Sequence, residues 1–467
     1  MKIEVDFSKE LGKVKPVHGV GQPPFYGADF SMFHYLEEAG IPFSRLHDVG
    51  GFLGGGRYVD VPNLFRDFDA DPEDPASYDF VFTDLLVTAL VENSVEPFFR
   101  LGVSIENECT RKAYRLDPPG DNLKWARICE GIIRHYTQGW ADGFHYDIRY
   151  WEIWNEPDNY EEVLENQMWR GTKEQFYALY GVASRYLKER FPHLKIGGYG
   201  SCGFYAAWGK KEAVAEAASS PRMEYFLTFF EGFLAYVKEN DCPLDFFSWH
   251  SYDGVQANLF YAAYARKRLD EEGFAHTEHT LNEWNCEVNM RGTSRHGAVT
   301  AAMLLAMQNS SLESAMFYDA RYGVSVYGSL FHPLTAEPFP AYYSFLGFGL
   351  LYRLGWQVAA SVDREDVYVV AARKKEGEVP GGCGNGSVMI ANLSGEDLPL
   401  QVDLAGWGKA GQEICRITEC RVMDQTRVWE TCALPGVLTR DMVLCISVEN
   451  TEKPGTFTGK EEESTII

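Results

Sequence analysis

The chain has 467 residues, of which 45% are hydrophobic and 14% aromatic, enough to fill the cores of a barrel-sized domain and a smaller one. Its 67 acidic residues outnumber its 43 lysines and arginines, and the formal charge of -24 would repel a polyanionic partner such as nucleic acid. No run reaches the ~18 apolar residues that span a membrane, so we expect no membrane partner.

The N-terminal residues and the cysteines bear on the cellular compartment. Residues 1–6 alternate like a strand and lack the apolar core of a signal peptide. The ten cysteines are scattered without a Cys-x-x-Cys pair, which favours reduced thiols over a disulfide framework. These features predict a cytoplasmic protein.

Residues 15–355 alternate short apolar strands with amphipathic helices, which is typical of a parallel sheet covered by helices. The predicted strands are 17–21, 43–47, 97–101, 148–154, 195–198, 246–250, 279–283 and 315–318. The predicted helices lie near 30–39, 80–93, 123–138, 173–191, 223–240, 259–272, 296–309 and 341–354. Eight such pairs predict an α/β fold, a TIM (β/α)8 barrel, whose active site lies at the carboxyl ends of the strands.

The remaining segments have a different pattern. Alternating apolar runs at 367–370, 387–390 and 442–446, separated by turn-rich stretches, predict a C-terminal β-sandwich over residues 356–452. Residues 1–14 precede the barrel, and their strand-like part is predicted to join the sandwich. Residues 453–467 are predicted to form a mobile acidic tail.

Two of the barrel strands end in a glutamate beside asparagine and tryptophan. Strand four runs into Trp154-Asn155-Glu156-Pro157, where an apolar setting is expected to raise the carboxyl pKa and suit Glu156 to general acid catalysis. A lone glutamate after a strand more often begins a solvated loop. Strand seven provides a second carboxyl in Asn282-Glu283-Trp284-Asn285. Two carboxyls about 5 Å apart, one protonated and one charged, form the machinery of a retaining glycosidase.

These two motifs resemble the acid/base and nucleophile motifs of glycoside hydrolase clan A, and most closely those of family 39, with its β-xylosidases and α-L-iduronidases. The resemblance covers most of residues 15–355. It implies a double-displacement hydrolase with Glu156 as acid/base and Glu283 as nucleophile, which needs no metal or organic cofactor. Since the β-xylosidases are nearest, we expect an exo-acting enzyme that removes xylose-type units from plant oligosaccharides.

The resemblance also indicates supporting residues. In the family an arginine near the end of strand two keeps the nucleophile ionised, and a charge within ~4–6 Å lowers a carboxyl pKa by about one to three units, so Arg45 is the candidate. His47 resembles a contact to a sugar hydroxyl, although an ordinary rim histidine fits the sequence equally well. Asn155 resembles the clan residue that binds the sugar 2-hydroxyl, a contact that strengthens in the transition state.

Strand six ends in Ser248-Trp249-His250-Ser251-Tyr252. The i, i+2 spacing places His250 and Tyr252 on the same side of an extended chain. The resemblance implies that the tyrosine donates its hydroxyl to the nucleophile, and two polar groups that merely cap a strand are the alternative. Trp284, next to the nucleophile, is a further candidate for substrate binding or support.

Several alternatives stay open at this point. Asp158 stands where xylosidases often carry Asn and iduronidases Asp, so β-glucosidase, α-L-arabinofuranosidase and iduronidase-like activities remain possible. A sugar-binding protein on a degenerate barrel is the non-enzyme alternative, against which both carboxyls and Arg45 argue. Residues 198–203 fit a dinucleotide-binding Gly-x-Gly-x-x-Gly, but a polar loop with Trp208 is expected to follow instead of a helix.

Other glycines, cysteines and histidines are expected to be structural. The glycine-rich residues 50–56 lack the Lys-Ser/Thr of a phosphate loop, and neither residues 276–279 nor the four cysteines from 415 to 445 have zinc-site spacing. The long loops 50–62 and 159–172, the second with Trp169, are predicted to close the site into a pocket that admits only a chain end. A homo-oligomer is left open.

Overall fold

The structure is a computed structural model, and it describes residues 1–27, 29–47, 59–104, 115–212, 220–323, 325–375, 385–406 and 413–452. The predictions for the glycine-rich residues 50–56, for most of loop 50–62 and for the tail 453–467 lie outside these residues. In the described parts of the chain, no helix combines the length and the apolar character of a membrane span.

Eight parallel strands close into a barrel in chain order, with β2 and β9 paired through Val20 and Phe317. After the N-terminal strand β1 (Lys2–Lys13), the barrel strands are β2 (Gly19–Gly21), β3 (Phe43–Leu46), β4 (Glu96–Leu101), β5 (Tyr150–Ile153), β6 (Lys195–Ser201), β7 (Phe246–Ser251), β8 (Glu278–Trp284) and β9 (Ser314–Tyr318). Each predicted strand overlaps one of these, so the predicted TIM barrel is confirmed.

The helices cover the outside of the barrel. They are α1 (His34–Ala39), α2 (Val61–Leu64), α3 (Val81–Glu92), α4 (Asn122–Gln138), α5 (Lys173–Arg190), α6 (Tyr205–Glu212), α7 (Pro221–Glu239), α8 (Val255–Glu271), α9 (Ser294–Gln308) and α10 (Pro340–Leu354), with 3-10 turns at Pro75–Ser77 and Val288–Met290. Every predicted helix overlaps one of them. Helices α2 and α6 were not predicted.

Helix α5 shows how local sequence sets these elements. Thr172 and Gln175 form a capping box at its start, each side chain accepting a hydrogen bond from the other's backbone N–H. Phe176 and Tyr180, one turn apart, are fully buried. Burial of each such side chain contributes roughly 1.5–3 kcal/mol to the free energy of unfolding. The helix ends just before Pro192, which disfavours helical geometry at the preceding residue. The cap also fixes the end of loop 159–172.

The prediction of a polar loop after the fifth predicted strand, residues 195–198, is wrong. Strand β6 continues to Ser201, and α6 begins at Tyr205 after a connection of only three residues. The physical reason is an apolar face at helical spacing, because Ala206 and Gly209 are buried and the Trp208 ring packs 5.4 Å from that of Phe260.

The C-terminal domain is built on an eight-stranded sheet in the order β14-β1-β10-β11-β12-β18-β15-β16, with a two-stranded sheet of β13 and β17. These strands are β10 (Trp356–Val362), β11 (Val367–Arg373), β12 (Asn385–Asn392), β13 (Leu398–Pro399), β14 (Gln401–Ala405), β15 (Glu413–Met423), β16 (Glu430–Cys432), β17 (Val437–Leu438) and β18 (Val443–Glu452). Ile390 faces this domain's own core with Leu398 and Leu438, whereas Met389 joins the barrel core. Strand β12 is therefore buried on both faces.

The N-terminal strand β1 lies inside this sheet. It pairs with β10 in antiparallel and with β14 in parallel register, so Val5 stands between Ala360 and Leu404. Ile3, Val5 and Phe7 are buried in the core of the C-terminal domain. The division of the chain at residues 14 and 355 stays a prediction.

Deleting residues 1–12 should destabilise the C-terminal domain. Three buried apolar side chains and two strand pairings would be lost, on the order of 5 kcal/mol from side-chain burial alone. Thermal unfolding should show a lower Tm or aggregation, whereas Lys9→Ala, at an exposed position of the same strand, should leave the Tm unchanged. A truncated protein that is as stable and active as the full chain would contradict the role of this strand.

Candidate active site

The first candidate glutamate emerges from a kinked strand end. Trp154 and Glu156 have left-handed backbone angles, with φ of 74° and 45°. Such angles cost non-glycine residues about 1–3 kcal/mol and persist only when the surroundings hold them. Here Glu156 N–H donates to the carbonyl of Gly200 at 2.9 Å, and the indole of Trp154 donates to the carbonyl of Met168 at 2.8 Å. The kink turns the Glu156 carboxyl into the barrel mouth.

The second glutamate, Glu283, faces the first across the mouth. Its Oε1 accepts a hydrogen bond from the Tyr252 hydroxyl at 2.5 Å, and its Oε2 accepts one from Arg45 Nη1 at 3.1 Å. His250 lies between the carboxyls, with Nδ1 2.8 Å from Glu156 Oε1 and 3.6 Å from Glu283 Oε2. One carboxylate oxygen of each glutamate lies within 4.8 Å of the other.

Arg45 connects three groups at the base of the site. Its guanidinium donates to Glu283, to Glu152 Oε2 at 2.8 Å and to Asn155 Oδ1 at 2.5 Å. Arg45 and Glu152 are both fully buried, so removing Arg45 would leave the charge of Glu152 without its ion-pair partner, at a cost of about 3–5 kcal/mol. The buried ion pair therefore fixes the orientation of Glu283 and Asn155 at the barrel mouth.

Glu152 was not predicted as a site residue, although a charged residue within an apolar strand indicates a buried ion pair. Besides Arg45, it accepts hydrogen bonds from Ser248 Oγ at 2.5 Å and Asn282 Nδ2 at 2.7 Å. Asn282 thus supports the network instead of contacting the cavity.

The pKa of Glu156 is lowered, whereas its apolar neighbours in the sequence led us to expect a raised pKa. Burial acts to raise it, but hydrogen bonds from His250 and from Asn159 Nδ2 at 2.9 Å prevail, so the pKa of Glu156 lies below its usual value. Burial, together with the nearby charge of Glu156, raises the pKa of Glu283. Burial acts to lower the pKa of His250, but the two carboxylates prevail and raise it. These directions favour a proton on the His250 imidazole over one on the Glu156 carboxylate.

Two further aspartates are buried beside the glutamates. Burial raises the pKa of Asp158 to about 7, with Glu156 contributing, although Ser201 Oγ donates to it at 2.8 Å. Burial likewise raises the pKa of Asp319 to about 7. Asp158 does not line the cavity, so the choice between Asp and Asn at this position does not touch the sugar directly.

These aspartates should make stability depend on pH. Each has a folded-state pKa above its unfolded value of about 3.9, so the folded state holds extra protons between roughly pH 4 and pH 7, and stability should fall as pH rises through that range. Asp158→Asn should reduce this fall by up to ~1.4 kcal/mol per pH unit, because the amide stays neutral. Unfolding measured from pH 4.5 to 8 checks this, with the exposed Asp142→Asn as control. Identical slopes for wild type and Asp158→Asn would contradict it.

A cavity of about 700 Å³ opens over the two glutamates. Besides the two glutamates, it is lined by His47, Asn155, Asn159, Tyr160, Gln167, Met168, Cys202, Tyr205, Ser220, Arg222, Met223, Phe226, Tyr252, Tyr318, Arg321, Ser325, Val326 and Tyr327. Of these, Asn159 contacts Glu156 and Tyr252 contacts Glu283. The tyrosines offer flat faces that suit the apolar sides of pyranose rings.

The structure brings most of the predicted residues together. Asn155, His47 and Tyr252 line the cavity, and Arg45 and His250 contact the glutamates from below. Trp284 does not reach the site. It is fully buried, with its ring 5.1 Å from that of Phe317, because neighbouring residues of a strand face opposite sides and Glu283 takes the inner one.

Loop 159–172 supplies part of the cavity wall through Tyr160, Gln167 and Met168. Trp169 instead lies behind the wall, with its ring 5.1 Å from that of Trp154. Tyr160 and the residues of the last barrel loop, such as Tyr327 and Arg321, were not predicted, since loops that follow different strands converge only in three dimensions.

The glycines of residues 198–203 serve the site. Gly200 has a φ of +63°, and a Cβ there would lie 3.1 Å from Arg45 Nη2 and His250 Nε2, and 3.2 Å from Asn155 Oδ1. Any larger residue would press on these side chains. Since β6 extends through Ser201, most of this motif is part of a barrel strand.

Within the described residues, the side chains close enough together to hold a metal ion are Glu156, His250 and Glu283, which form the carboxylate site itself. Of the motif 276–279, His279 is bonded to Ser311 Oγ at 3.0 Å and Glu278 is paired with Lys195. Within the described residues, the cysteines at 415, 420, 432 and 445 form no disulfide.

Comparison with known proteins places the chain in a family. The model of the glycosyl hydrolases family 39 matches residues 37–283. A β-xylosidase of Geobacillus stearothermophilus is 23% identical over 395 residues, 75% of this chain and 69% of that protein. A β-xylosidase of Caldicellulosiruptor saccharolyticus is 26% identical over 267 residues, 54% of this chain and 46% of that protein.

Solved structures agree on the fold. A glucosidase from Croceicoccus marinus superposes with a TM-score of 0.72 at 21% identity, covering 96% of this chain and 98% of that one. A monomeric β-xylosidase from Caulobacter crescentus gives a TM-score of 0.66 at 15% identity, covering 96% and 99%. Because the family model spans more than half of the chain, the protein belongs to glycosyl hydrolase family 39 and is a glycosidase with a carbohydrate substrate.

Proposed function

We propose that the protein is a retaining β-xylosidase that releases single sugars from the non-reducing ends of short oligosaccharides. Glu283 is the nucleophile and Glu156 the acid/base. The observation that carries this proposal is that one carboxylate oxygen of Glu156 lies within 4.8 Å of one carboxylate oxygen of Glu283. Retaining enzymes hold the two carboxyls about 5–5.5 Å apart, whereas inverting enzymes need about 6.5–9.5 Å to admit a water molecule.

Glu283 has the partners that a nucleophile requires. Arg45 places a permanent positive charge 3.1 Å from Oε2, which favours the ionised carboxylate, and Tyr252 orients Oε1 by donating its hydroxyl proton. Asn155 Oδ1 already accepts from Arg45, so its amide N–H groups remain for the hydroxyl of a sugar. These contacts support attack of Glu283 on the anomeric carbon.

Glu156 must carry a proton when the leaving oxygen arrives. The raised pKa of His250 favours a proton on its imidazole, 2.8 Å away, so proton transfer from Nδ1 to Glu156 Oε1 would protonate the acid without changing the net charge of the site. Glu156 then protonates the leaving oxygen and becomes a carboxylate. In the second step it takes a proton from water as the hydroxide adds to the anomeric carbon and the bond to Glu283 breaks.

The similar proteins support the identity of the sugar, and the shape of the cavity supports exo action. The two curated relatives at 23% and 26% identity are β-xylosidases, which supports xylose as the glycone. Loop residues Tyr160, Gln167 and Met168 on one side and Val326 and Tyr327 on the other wall the cavity, which supports a pocket that takes a chain end.

We also propose that the enzyme has no nucleic acid partner and is located in the cytoplasm. The net charge of -24 supports an enzyme that has no nucleic acid partner. The eight cysteines in the described residues form no disulfide with one another, which supports a cytoplasmic location.

The direct test measures the sugar and the stereochemistry together. A panel of aryl glycosides (xyloside, glucoside, galactoside, arabinofuranoside and iduronide) should show the highest kcat/KM for the β-xyloside. Proton magnetic resonance of the first product should show the β-anomer, because two inversions cancel. Early digests of xylo-oligosaccharides should contain xylose. An α-anomer formed first would rule out retention, and early mid-length fragments would rule out the pocket.

A further inference from the structure

We infer that Arg222 recognises a carboxylate on the leaving group, so that the enzyme favours xylosides whose leaving group is an anion, such as a uronic acid or a carboxylated phenol. This inference rests on the proposed function and concerns the half of the cavity beyond Glu156. It makes Arg222 a specificity-determining residue.

The position of Arg222 follows from the role of Glu156. The acid/base contacts the glycosidic oxygen, so the cavity residues beyond it surround the leaving group. Asn159 is the first of these, because its Nδ2 donates to Glu156 Oε2 at 2.9 Å. Arg222 is the next, since its Nε donates to the backbone carbonyl of Asn159 at 2.8 Å and its Nη2 to Oδ1 at 3.3 Å.

Aromatic rings hold the guanidinium in place. The guanidinium carbon of Arg222 lies 4.2 Å from the centre of the Tyr160 ring and 5.4 Å from that of Phe226. Tyr160, Arg222 and Phe226 all line the cavity. Arg222 is exposed to solvent, so the rings restrict the orientation of the guanidinium while its remaining N–H groups stay accessible to an incoming anion.

The charges in the cavity show which cation lacks an anion. Among the described lining residues, Glu283 is paired with Arg45, Glu156 with His250, and Arg321 with Asp319 at 3.5 Å. No carboxylate of the described residues lies within 4.0 Å of Arg222, whose partners there are the two oxygens of Asn159.

A carboxylate on the leaving group would complete this arrangement. A guanidinium has five N–H donors, and the contacts with Asn159 use two of them. The others can form charge-assisted hydrogen bonds to a carboxylate. In a chain with a net charge of -24, such a local cation is what allows an anionic substrate to bind.

The test compares two β-xylosides that differ in charge, 3-carboxyphenyl and 3-(methoxycarbonyl)phenyl xyloside, for wild type and Arg222→Gln. We expect Arg222→Gln to lower kcat/KM for the carboxylate by roughly tenfold more than for the ester. Arg222→Lys should restore part of the difference, and 0.5 M NaCl should weaken it in the wild type. Lys210→Gln removes a charge outside the cavity and should leave the ratio unchanged.

A second pair distinguishes the source of the carboxylate. Xylose β-linked to glucuronic acid, compared with xylobiose, should show the same preference if the leaving group is a sugar acid, and no preference if only carboxylated phenols fit. Equal losses on every charged and neutral substrate in Arg222→Gln would overturn the inference and leave Arg222 as a support for Asn159. If no xyloside is cleaved, the proposed sugar is wrong, and the same aryl pair on the sugar that is cleaved decides the role of Arg222.

Discussion

Replacing Glu283 by glycine is expected to lower kcat on aryl β-xylosides by at least about 10⁴-fold, because no group remains to attack the anomeric carbon. Azide should then restore turnover and form a glycosyl azide of inverted configuration. The physical reason lies in the space that the carboxylate leaves. Arg45 and Tyr252, which hold the two oxygens of Glu283, would remain as donors for an anion on that face of the sugar.

The matched control is Glu283→Gln, which removes the charge but fills the same space. It should be as inactive as the glycine variant and should not respond to azide, since no room is left for the anion. Thermal unfolding should show that both variants fold. A glycosyl azide of retained configuration, or no effect of azide on the glycine variant, would count against Glu283 as the nucleophile.

The part of the site that the sequence predicted is the part that follows strand alternation. Ser248 and His250 lie on β7 and Tyr252 follows its end, so the three occupy alternate positions of one extended segment. Each contacts a glutamate, which is Glu152 for Ser248, Glu156 for His250 and Glu283 for Tyr252. The same rule places Glu283 inward and therefore Trp284 outward, so the error on Trp284 could have been avoided. Periodicity also made the eight strand-helix units recognisable without any contact information.

What the sequence did not predict depends on contacts between distant segments. The pKa of Glu156 was expected to rise because Trp154 and Pro157 flank it, but its direction is set by His250, which is 94 residues away in the chain. Arg222 and Asn159, which are 63 residues apart, meet only because α7 begins beside the loop after β5. Such contacts are determined by how the barrel closes, and no local sequence pattern predicts them.

Replacing Glu156 by alanine is expected to separate substrates by their leaving groups. For substrates whose leaving group departs without a proton, kcat/KM should fall by about tenfold or less. For natural oligosaccharides kcat/KM should fall by roughly 10²–10⁴-fold, the usual contribution of a general acid. The alkaline limb of the pH profile should also disappear, because it reports the loss of the proton that Glu156 delivers.

The same variant tests the stereochemistry from the other side. Without the Glu156 carboxylate, azide can reach the glycosyl-enzyme from the face that the leaving group vacated, so the glycosyl azide should keep the configuration of the substrate, opposite to the result for Glu283→Gly. Glu165→Ala, at an exposed position on the same loop, is the matched control and should behave as wild type on every leaving group. Equal losses for activated and natural leaving groups in Glu156→Ala would show that Glu156 is not the acid, because only proton delivery makes the size of the defect depend on the leaving group.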